Sequence, residues 1–189
     1  MYDVALYYRE RARATSQVLD RLGLQEKAFA LATCHRAENT DDPGRLRGIV
    51  SALAQIAEDL PVVLPLHPRT RKLMQQFGLE GELSALTVVE PLAFLDMVTL
   101  EQAAKIILTD SGGVQKEAFF YQVPCITMRD ETEWVETLAS GRNQLVGADS
   151  QRILSAYQQG PQFAPEAGFA PYGDGFASKK IIENLMLPA

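Results

Sequence analysis

The sequence predicts an α/β protein with a Rossmann-like parallel sheet and helices on both of its faces. Short runs rich in β-forming residues alternate with segments of helical periodicity almost without interruption along the 189 residues. Each predicted strand is nearly continuous in apolar residues, which is typical of parallel strands that are buried on both faces. With 47% apolar and 22% charged residues, the chain can fill such a core, and these proportions exclude a disordered protein.

The predicted strands are the short apolar runs, and a turn or a polar segment follows each run. They cover residues 28–33, 62–66, 85–89, 105–109, 124–128 and 144–146. Because helical patterns separate them, these strands belong to one parallel sheet.

The best-defined helix is predicted over 43–59. Apolar residues such as Leu46, Ile49 and Leu53 recur there at helical spacing, an aspartate pair directly before it can cap it, and Pro43 occupies the first helical position. Similar patterns predict further helices over 11–22, 70–77, 94–104, 114–121, 133–139, 151–158 and 178–187.

The chain divides into a Rossmann-like domain over 1–160 and a return segment over 161–189. Residues 160–177 are rich in glycine, proline and aromatic residues, which predicts a long irregular connection before the last helix. The length corresponds to one substantial domain.

Composition and charge narrow the classes of function. The net charge of −6 argues against a dedicated nucleic-acid binder. No apolar run approaches the ~20 residues that span a bilayer, and the opening residues lack the apolar region of a signal peptide. Cys34 and Cys125 lie in apolar stretches, so we expect buried free thiols in a cytoplasmic protein.

Polar side chains follow the predicted strands at the edge where an open parallel sheet binds ligands. His35 and Arg36 follow the first strand, and His67 and Arg69 follow the second. Both histidines of the chain therefore occupy this edge, which we expect to be locally basic. A histidine at a strand end can also be structural, but two at one edge favour a site. Glu90 and Arg129 follow the third and fifth strands.

The strand over 105–109 leads into Ser111, Gly112 and Gly113 and then into a helix. Glycine lets backbone N–H groups approach an anion, and a helix N-terminus attracts one, so the turn predicts a phosphate or diphosphate site. The alternative is an ordinary turn that needs positive φ. One helical turn further on, Glu117 either binds ribose hydroxyls or only complements the helix dipole.

The other charged residues allow simpler interpretations. Arg129 either binds phosphate or pairs with Asp130 or Glu133. Glu101 forms an ordinary i,i+4 pair with Lys105. We expect no metal and no cofactor, because no Cys/His cluster has ligand spacing. These residues predict a half-site for a nucleotide or a phosphorylated ligand, but they do not identify a reaction.

Together the motifs resemble the non-hydrolysing UDP-N-acetylglucosamine 2-epimerase family. The matching segments are residues 33–39, 66–70, 90–92, 109–118, 128–133 and 172–175. The resemblance implies one Rossmann-like half of a glycosyltransferase-B type arrangement, namely the C-terminal, UDP-binding domain. It also implies C2 inversion of a UDP-2-acetamido sugar by elimination of UDP and its re-addition.

The resemblance also implies roles for individual residues. Ser111, Gly112 and Gly113 would hold the diphosphate, Glu117 the ribose, and the 90–97 loop, with Glu90, Leu92 and Met97, the uracil. His35 resembles a histidine on the diphosphate side. Arg36 and His67 resemble residues near a second, regulatory UDP-sugar contact, and Arg69 belongs to the same motif.

Two departures from the family pattern matter. Trp134 stands where the family commonly has an arginine that reaches the phosphates, so Arg129 is a candidate to replace it. The segment 132–136 resembles the subgroup that acts on UDP-diacetamido-glucuronate, so the ligand is UDP-GlcNAc or that uronate. Met97 stands where many relatives carry an aromatic residue.

The second departure is that the family's proton-transferring carboxylates lie in an N-terminal domain that this sequence lacks. We therefore expect the chain alone to bind UDP weakly without epimerising it, and to work as a homodimer or with a separate N-terminal domain. The alternatives are a stand-alone UDP-sugar-binding module and a glycosyltransferase of the same architecture.

Overall fold

The computed structural model describes residues 1–160 and 169–186, and its centre is one six-stranded parallel sheet. The strands lie in the order β3-β2-β1-β4-β5-β6, and every neighbouring pair is parallel. Each predicted strand overlaps an observed one, which confirms the predicted fold class. The strands are β1 (Ala30–Thr33), β2 (Val62–Pro65), β3 (Thr87–Val89), β4 (Ile106–Thr109), β5 (Cys125–Thr127) and β6 (Asn143–Leu145).

The centre of the sheet is the place where the chain changes its winding direction. It moves outward from β1 to β2 and β3, then returns to place β4 on the other side of β1. The register pairs Thr33 with Thr109, so both central strands end together, and the two hydroxyls lie 2.6 Å apart. In open α/β sheets this switch point is where ligands bind.

The helices cover both faces of the sheet. Leu46, Ile49 and Leu53 belong to a buried cluster on one face, while Phe29 and Leu100 belong to a second cluster on the other. The helices are α1 (Tyr2–Thr15), α2 (Val18–Leu22), α3 (Ala37–Thr40), α4 (Pro43–Ile56), α5 (Pro68–Gln76), α6 (Glu80–Leu83), α7 (Phe94–Ala103), α8 (Gly112–Phe120), α9 (Val135–Ala139), α10 (Ser150–Gln159) and α11 (Ala177–Met186).

The helix predicted over 11–22 is wrong, because two helices occupy this region. Ser16 is extended, with ψ of 134°, and its hydroxyl donates to Asp96 at 2.5 Å and accepts from the amide of Val18 at 3.2 Å. This serine thus ends α1 and starts α2. The start of α1 at Tyr2 was missed because its buried face consists of the small residues Ala5 and Ala12. The short helices α3 and α6 were not predicted either.

The segment before the last helix packs on α8. Residues 169–176 form neither helix nor strand, as the predicted irregular connection requires, whereas 161–168 lie outside the described residues. Tyr172 meets Phe119 and Phe120 edge-to-face at 5.4 and 5.5 Å. Gly175 has φ of 79°, and a Cβ there would lie 2.2 Å from Leu6, so this turn requires glycine. The boundary at residue 160 stays a prediction.

The two cysteines are buried free thiols, as predicted, and burial raises the pKa of Cys125 to about 12. Over residues 1–160 and 169–186, no helix combines the length and the apolar character needed to cross a bilayer.

Candidate nucleotide site

A cavity of about 370 Å³ opens at the carboxyl ends of the central strands. This volume is in the range of small-molecule pockets. It lies beside the switch point between β1 and β4. The cavity contains five of the residues predicted for the site, which are His35, His67, Arg69, Leu92 and Met97.

Asp110, directly after β4, organises the chain that follows β1. Its carboxylate is fully buried and accepts from the amides of His35 at 3.0 Å and Arg36 at 2.9 Å, and from the Asn39 side chain at 3.3 Å. The Nδ1 atom of His35 lies 3.5 Å from Asp110 Oδ1, which leaves Nε2 as the nitrogen available to a ligand. Asp110 thus positions both residues. Sequence reasoning missed it, although an aspartate directly after a central buried strand was a usable signal.

His67 and Arg69 form the opposite wall of the cavity. His67 caps α5, and its Nδ1 accepts from the amide of Arg69 at 3.2 Å. Arg69 donates to the hydroxyl of Thr40 at 3.1 Å and pairs with Asp41. Thr70 donates to the carbonyl of Cys34 at 3.2 Å, so α5 is tied to the turn after β1.

The loop over 90–97 contributes only part of its predicted residues to the cavity. Pro91, Leu92 and Met97 line it with apolar surface. The Glu90 side chain is 75% exposed and pairs with Arg71 at 2.7 Å. Any contact of Glu90 with a ligand in the cavity therefore depends on its backbone.

The turn over Ser111, Gly112 and Gly113 begins α8. Ser111 is the N-cap, and its amide donates to the Thr109 hydroxyl at 2.9 Å. Neither glycine has a positive φ, which rules out the alternative that the turn needs a left-handed conformation. At Gly112 the preference for glycine is steric, because a Cβ would lie 3.0 Å from Trp134 Nε1 and 3.7 Å from an Arg36 nitrogen. The missing Cβ thus lets Trp134 and Arg36 approach the first residue of α8.

Glu117, on α8, shares an enclosed environment with Glu101 on α7. Burial raises the pKa of Glu117, and burial together with the Glu117 charge raises the pKa of Glu101 well above its usual value. Glu101 is 3% exposed, and its Oε2 has no hydrogen-bond partner among the described residues. The predicted surface pair between Glu101 and the next lysine is therefore wrong. Burial without a paired cation disfavours the charged form of the Glu101 carboxyl, which reduces the repulsion between the two carboxylates.

Arg129 is almost fully buried and engaged by two carboxylates. Its guanidinium donates to both oxygens of Glu133 at 2.9 and 3.2 Å, and to Glu38 at 3.2 Å. Arg129 lowers the pKa of Glu133 to about 2. Of the two sequence-based alternatives, the structure thus contains the ion pair with Glu133, while Asp130 pairs with Arg45 at 2.8 Å. Arg36 is the predicted cation that reaches the turn at Gly112.

Among the residues the structure describes, no group of three histidine, cysteine or carboxylate side chains could hold a metal ion. The candidate site has an apolar cavity, the turn that begins α8 and the partly buried Glu117 carboxylate. This set of groups suits a nucleotide with its phosphate at the turn.

Comparisons with known proteins relate this chain to one enzyme family. Residues 1–186 match the family described as UDP-N-acetylglucosamine 2-epimerase. The UDP-2,3-diacetamido-2,3-dideoxy-D-glucuronate 2-epimerase of Pseudomonas aeruginosa is 46% identical over 98% of this chain and 50% of its own length. A UDP-N-acetylglucosamine 2-epimerase homolog of Methanococcus maripaludis is 43% identical over 89% of this chain and 47% of its own.

Solved structures give the same relationship. The UDP-GlcNAc 2-epimerase of Methanocaldococcus jannaschii superposes with a TM-score of 0.86 at 34% identity, covering 97% of this chain and 53% of that one. Its complex with UDP-GlcNAc and UDP superposes with a TM-score of 0.84. The chain thus spans about half the length of the curated relatives it matches. From the match over residues 1–186, the chain belongs to the UDP-N-acetylglucosamine 2-epimerase family.

Proposed function

We propose that this chain is the UDP-binding, C-terminal half of a nucleotide-sugar 2-epimerase. The observation that carries the proposal is the joint placement of the cavity and the Ser111 turn at the switch point of the sheet. The complete enzyme inverts C2 of a UDP-2-acetamido sugar by eliminating UDP and adding it back. The P. aeruginosa relative, at 46% identity, supports the diacetamido-uronate as the sugar, with UDP-GlcNAc as the alternative.

The nucleotide lies with its diphosphate at the start of α8 and its uridine along the cavity. The backbone N–H groups of Gly112 and Gly113 bind the diphosphate beside the Ser111 hydroxyl, at the positive end of the helix dipole. Glu117 accepts hydrogen bonds from the ribose hydroxyls. Leu92 and Met97 pack against the uracil, whose polar edges meet the backbone of the 90–97 loop.

The residues that follow β1 and β2 bind the diphosphate and make a second ligand contact. His35, held through Asp110, donates from Nε2 to the diphosphate oxygens. Arg36, His67 and Arg69 take the additional UDP-sugar contact. Arg129 holds the loop after β5 through Glu133 and Glu38, and it acts on phosphate through that loop.

Chemically, this half stabilises the leaving group. When the anomeric C–O bond breaks, negative charge grows on the diphosphate, and donors that already point at it lower the barrier. The C2 proton needs a positioned acid and base, which the resemblance assigns to the N-terminal half. The chain alone therefore binds UDP and does not invert C2.

The surface that meets the other half includes α11. Its Ile181, Ile182, Leu185 and Met186 are 57–79% exposed, and none of its residues is buried. An N-terminal domain, in the same or a separate chain, covers this apolar face. The proposed enzyme is cytoplasmic, and it acts either as a homodimer or with a separate N-terminal domain.

Calorimetry tests the nucleotide site directly. We expect UDP to bind the 189-residue chain, and uridine to bind at least about tenfold more weakly because it lacks the charged oxygens. Glu117→Gln should weaken UDP by about tenfold, the value of a charged hydrogen bond. Glu58→Gln, an exposed carboxylate before β2 at the opposite sheet edge, is the matched control and should change nothing. An absence of heat at millimolar UDP would refute the site.

A turnover assay tests the division of labour. The chain alone should not epimerise UDP-GlcNAc or its diacetamido-uronate analogue, and addition of an N-terminal half should restore inversion. Steady C2 inversion by the isolated chain would contradict this part. Sugar transfer to an added acceptor without inversion would identify a glycosyltransferase instead.

A further inference from the structure

The indole of Trp134 meets the first residue of α8. Its Nε1 lies 3.0 Å from the position that a Cβ on Gly112 would occupy, and an Arg36 nitrogen lies 3.7 Å from the same point. Two side chains with N–H donors, from the loops after β5 and β1, thus converge on the turn that begins α8. Trp134 is the only tryptophan of the chain.

The donor on this indole is buried and has no hydrogen-bond partner within the described residues. Such a donor costs about 1–3 kcal/mol, so native structures rarely leave one without a reason. The residue is otherwise well held: its amide donates to Thr132 Oγ1 at 3.1 Å, and its carbonyl accepts from Thr137 Oγ1 at 2.7 Å. The Lys116 ammonium lies 3.5 Å from the ring centroid. Loose packing therefore does not explain the missing acceptor.

An anion at the turn would supply the acceptor. The first backbone N–H groups of α8 have no partner within the helix, and the helix dipole favours negative charge there. Glu133 Oε2 also lies 3.8 Å from the position that a Cβ on Gly112 would occupy. Its charge is compensated by Arg129, which donates to it at 2.9 Å. The Lys116 cation on the ring face draws electron density from the indole, which strengthens its N–H as a donor.

We propose that Trp134 is a diphosphate-binding residue, whose Nε1–H donates to a phosphate oxygen of the nucleotide at the Ser111 turn. This inference rests on the proposed function and names an additional ligand of the same site. The indole contributes a neutral donor, in a plane fixed by Lys116 and by the backbone contacts of Trp134. The indole therefore contacts the diphosphate and makes no contact with the uridine.

The single indole N–H permits a test on the unmodified chain. In a ¹H–¹⁵N spectrum of the labelled protein, UDP should move the indole proton resonance downfield, as a new hydrogen bond to a charged oxygen requires. Uridine should leave the resonance in place. If calorimetry records UDP binding while the indole resonance stays fixed, the inference is wrong and the proposed function stands. If UDP does not bind at all, the proposed function itself fails.

A pair of variants measures the contribution. Trp134→Phe keeps an aromatic ring over Gly112 and removes the N–H, so UDP affinity should fall about tenfold while uridine affinity is unchanged. Tyr172→Phe is the matched control, since it removes one polar atom from a ring that packs on α8 and bonds Glu136 at 3.3 Å. It should bind UDP as the wild type does. Equal UDP affinity in the two variants would overturn the assignment.

Discussion

Asp110→Asn should destabilise the protein and weaken its site, because this carboxylate holds the turn after β1. One oxygen, Oδ2, accepts from the amides of His35 and Arg36 and from the Asn39 side chain, at 3.0, 2.9 and 3.3 Å. The other, Oδ1, accepts from the His35 amide at 3.2 Å and lies 3.5 Å from its ring. An asparagine can place its carbonyl oxygen at the Oδ2 position and keep the hydrogen bonds made there. Its NH₂ group then occupies the Oδ1 position and faces the N–H donors of His35.

The expected cost follows from those contacts. A buried donor left facing another donor costs about 1–3 kcal/mol. For a chain of this size, each kcal/mol lowers Tm by about 2–4 °C, so we expect a decrease of about 2–12 °C. The UDP affinity should fall as well, since His35 and Arg36 lose their anchor.

Urea unfolding followed by circular dichroism measures the change, with the slope m unchanged if only the native state is affected. Asp130→Asn is the matched control: its side chain is 68% exposed and, among the described residues, forms an ion pair only with Arg45, so its loss should cost under about 1 kcal/mol. Equal midpoints for the two variants would refute the role given to Asp110.

Three further predictions address the pH dependence and the C-terminal segment. Burial raises the pKa of Glu101 in the folded state, so its protonated form stabilises the fold below the unfolded pKa, and this contribution is lost as pH rises through the folded value. The free energy of unfolding of Glu101→Gln should therefore decrease less than that of the wild type as the pH rises, which urea titrations from pH 5 to 9 would measure. A steeper decrease in the variant than in the wild type would contradict this prediction. Carboxyl NMR should find Glu133 titrating near 2, with the pKa returning towards 4.5 in Arg129→Gln; an unchanged titration would refute the pairing. Deleting residues 161–189 should lower Tm by only about 2–6 °C, since no residue of α11 is buried and its described contacts are exposed, such as the Ser178 hydrogen bonds to Asp3, while Tyr172 adds ring contacts with α8; failure to fold would disprove a separate return segment.

The fold was predictable because its central strands are continuous apolar runs and because the polar residues gather where those strands end. The same local rules failed where small residues form the buried face, as Ala5 and Ala12 do in α1. Periodicity detects large apolar side chains, and an alanine stripe beside charged residues gives little contrast.

The position of the cavity was predictable from the sequence, whereas the contacts of the charged residues around it were only partly predictable. Ser111, Gly112 and Gly113 are contiguous, so the turn that begins α8 could be predicted from one motif, and its anion-binding role stays a prediction. Arg129 and Glu38 stand 91 positions apart, and local spacing therefore could not predict their ion pair. The burial of Glu101 was hidden for a related reason, since it depends on how α7 packs against α8.

The charge distribution explains how an acidic chain suits a diphosphate. The expected basic edge is largely compensated, because Arg69 pairs with Asp41 and Arg129 with two glutamates. On the proposed function, the anion meets backbone N–H groups of α8 and the indole of Trp134, with Arg36 as the nearby cation. Neutral dipoles held in place beforehand need no reorganisation as charge grows on a leaving group. They also avoid a field strong enough to attract nucleic acid. The site thus depends on which donors lack a partner in the fold, a property that a net charge of −6 does not reveal.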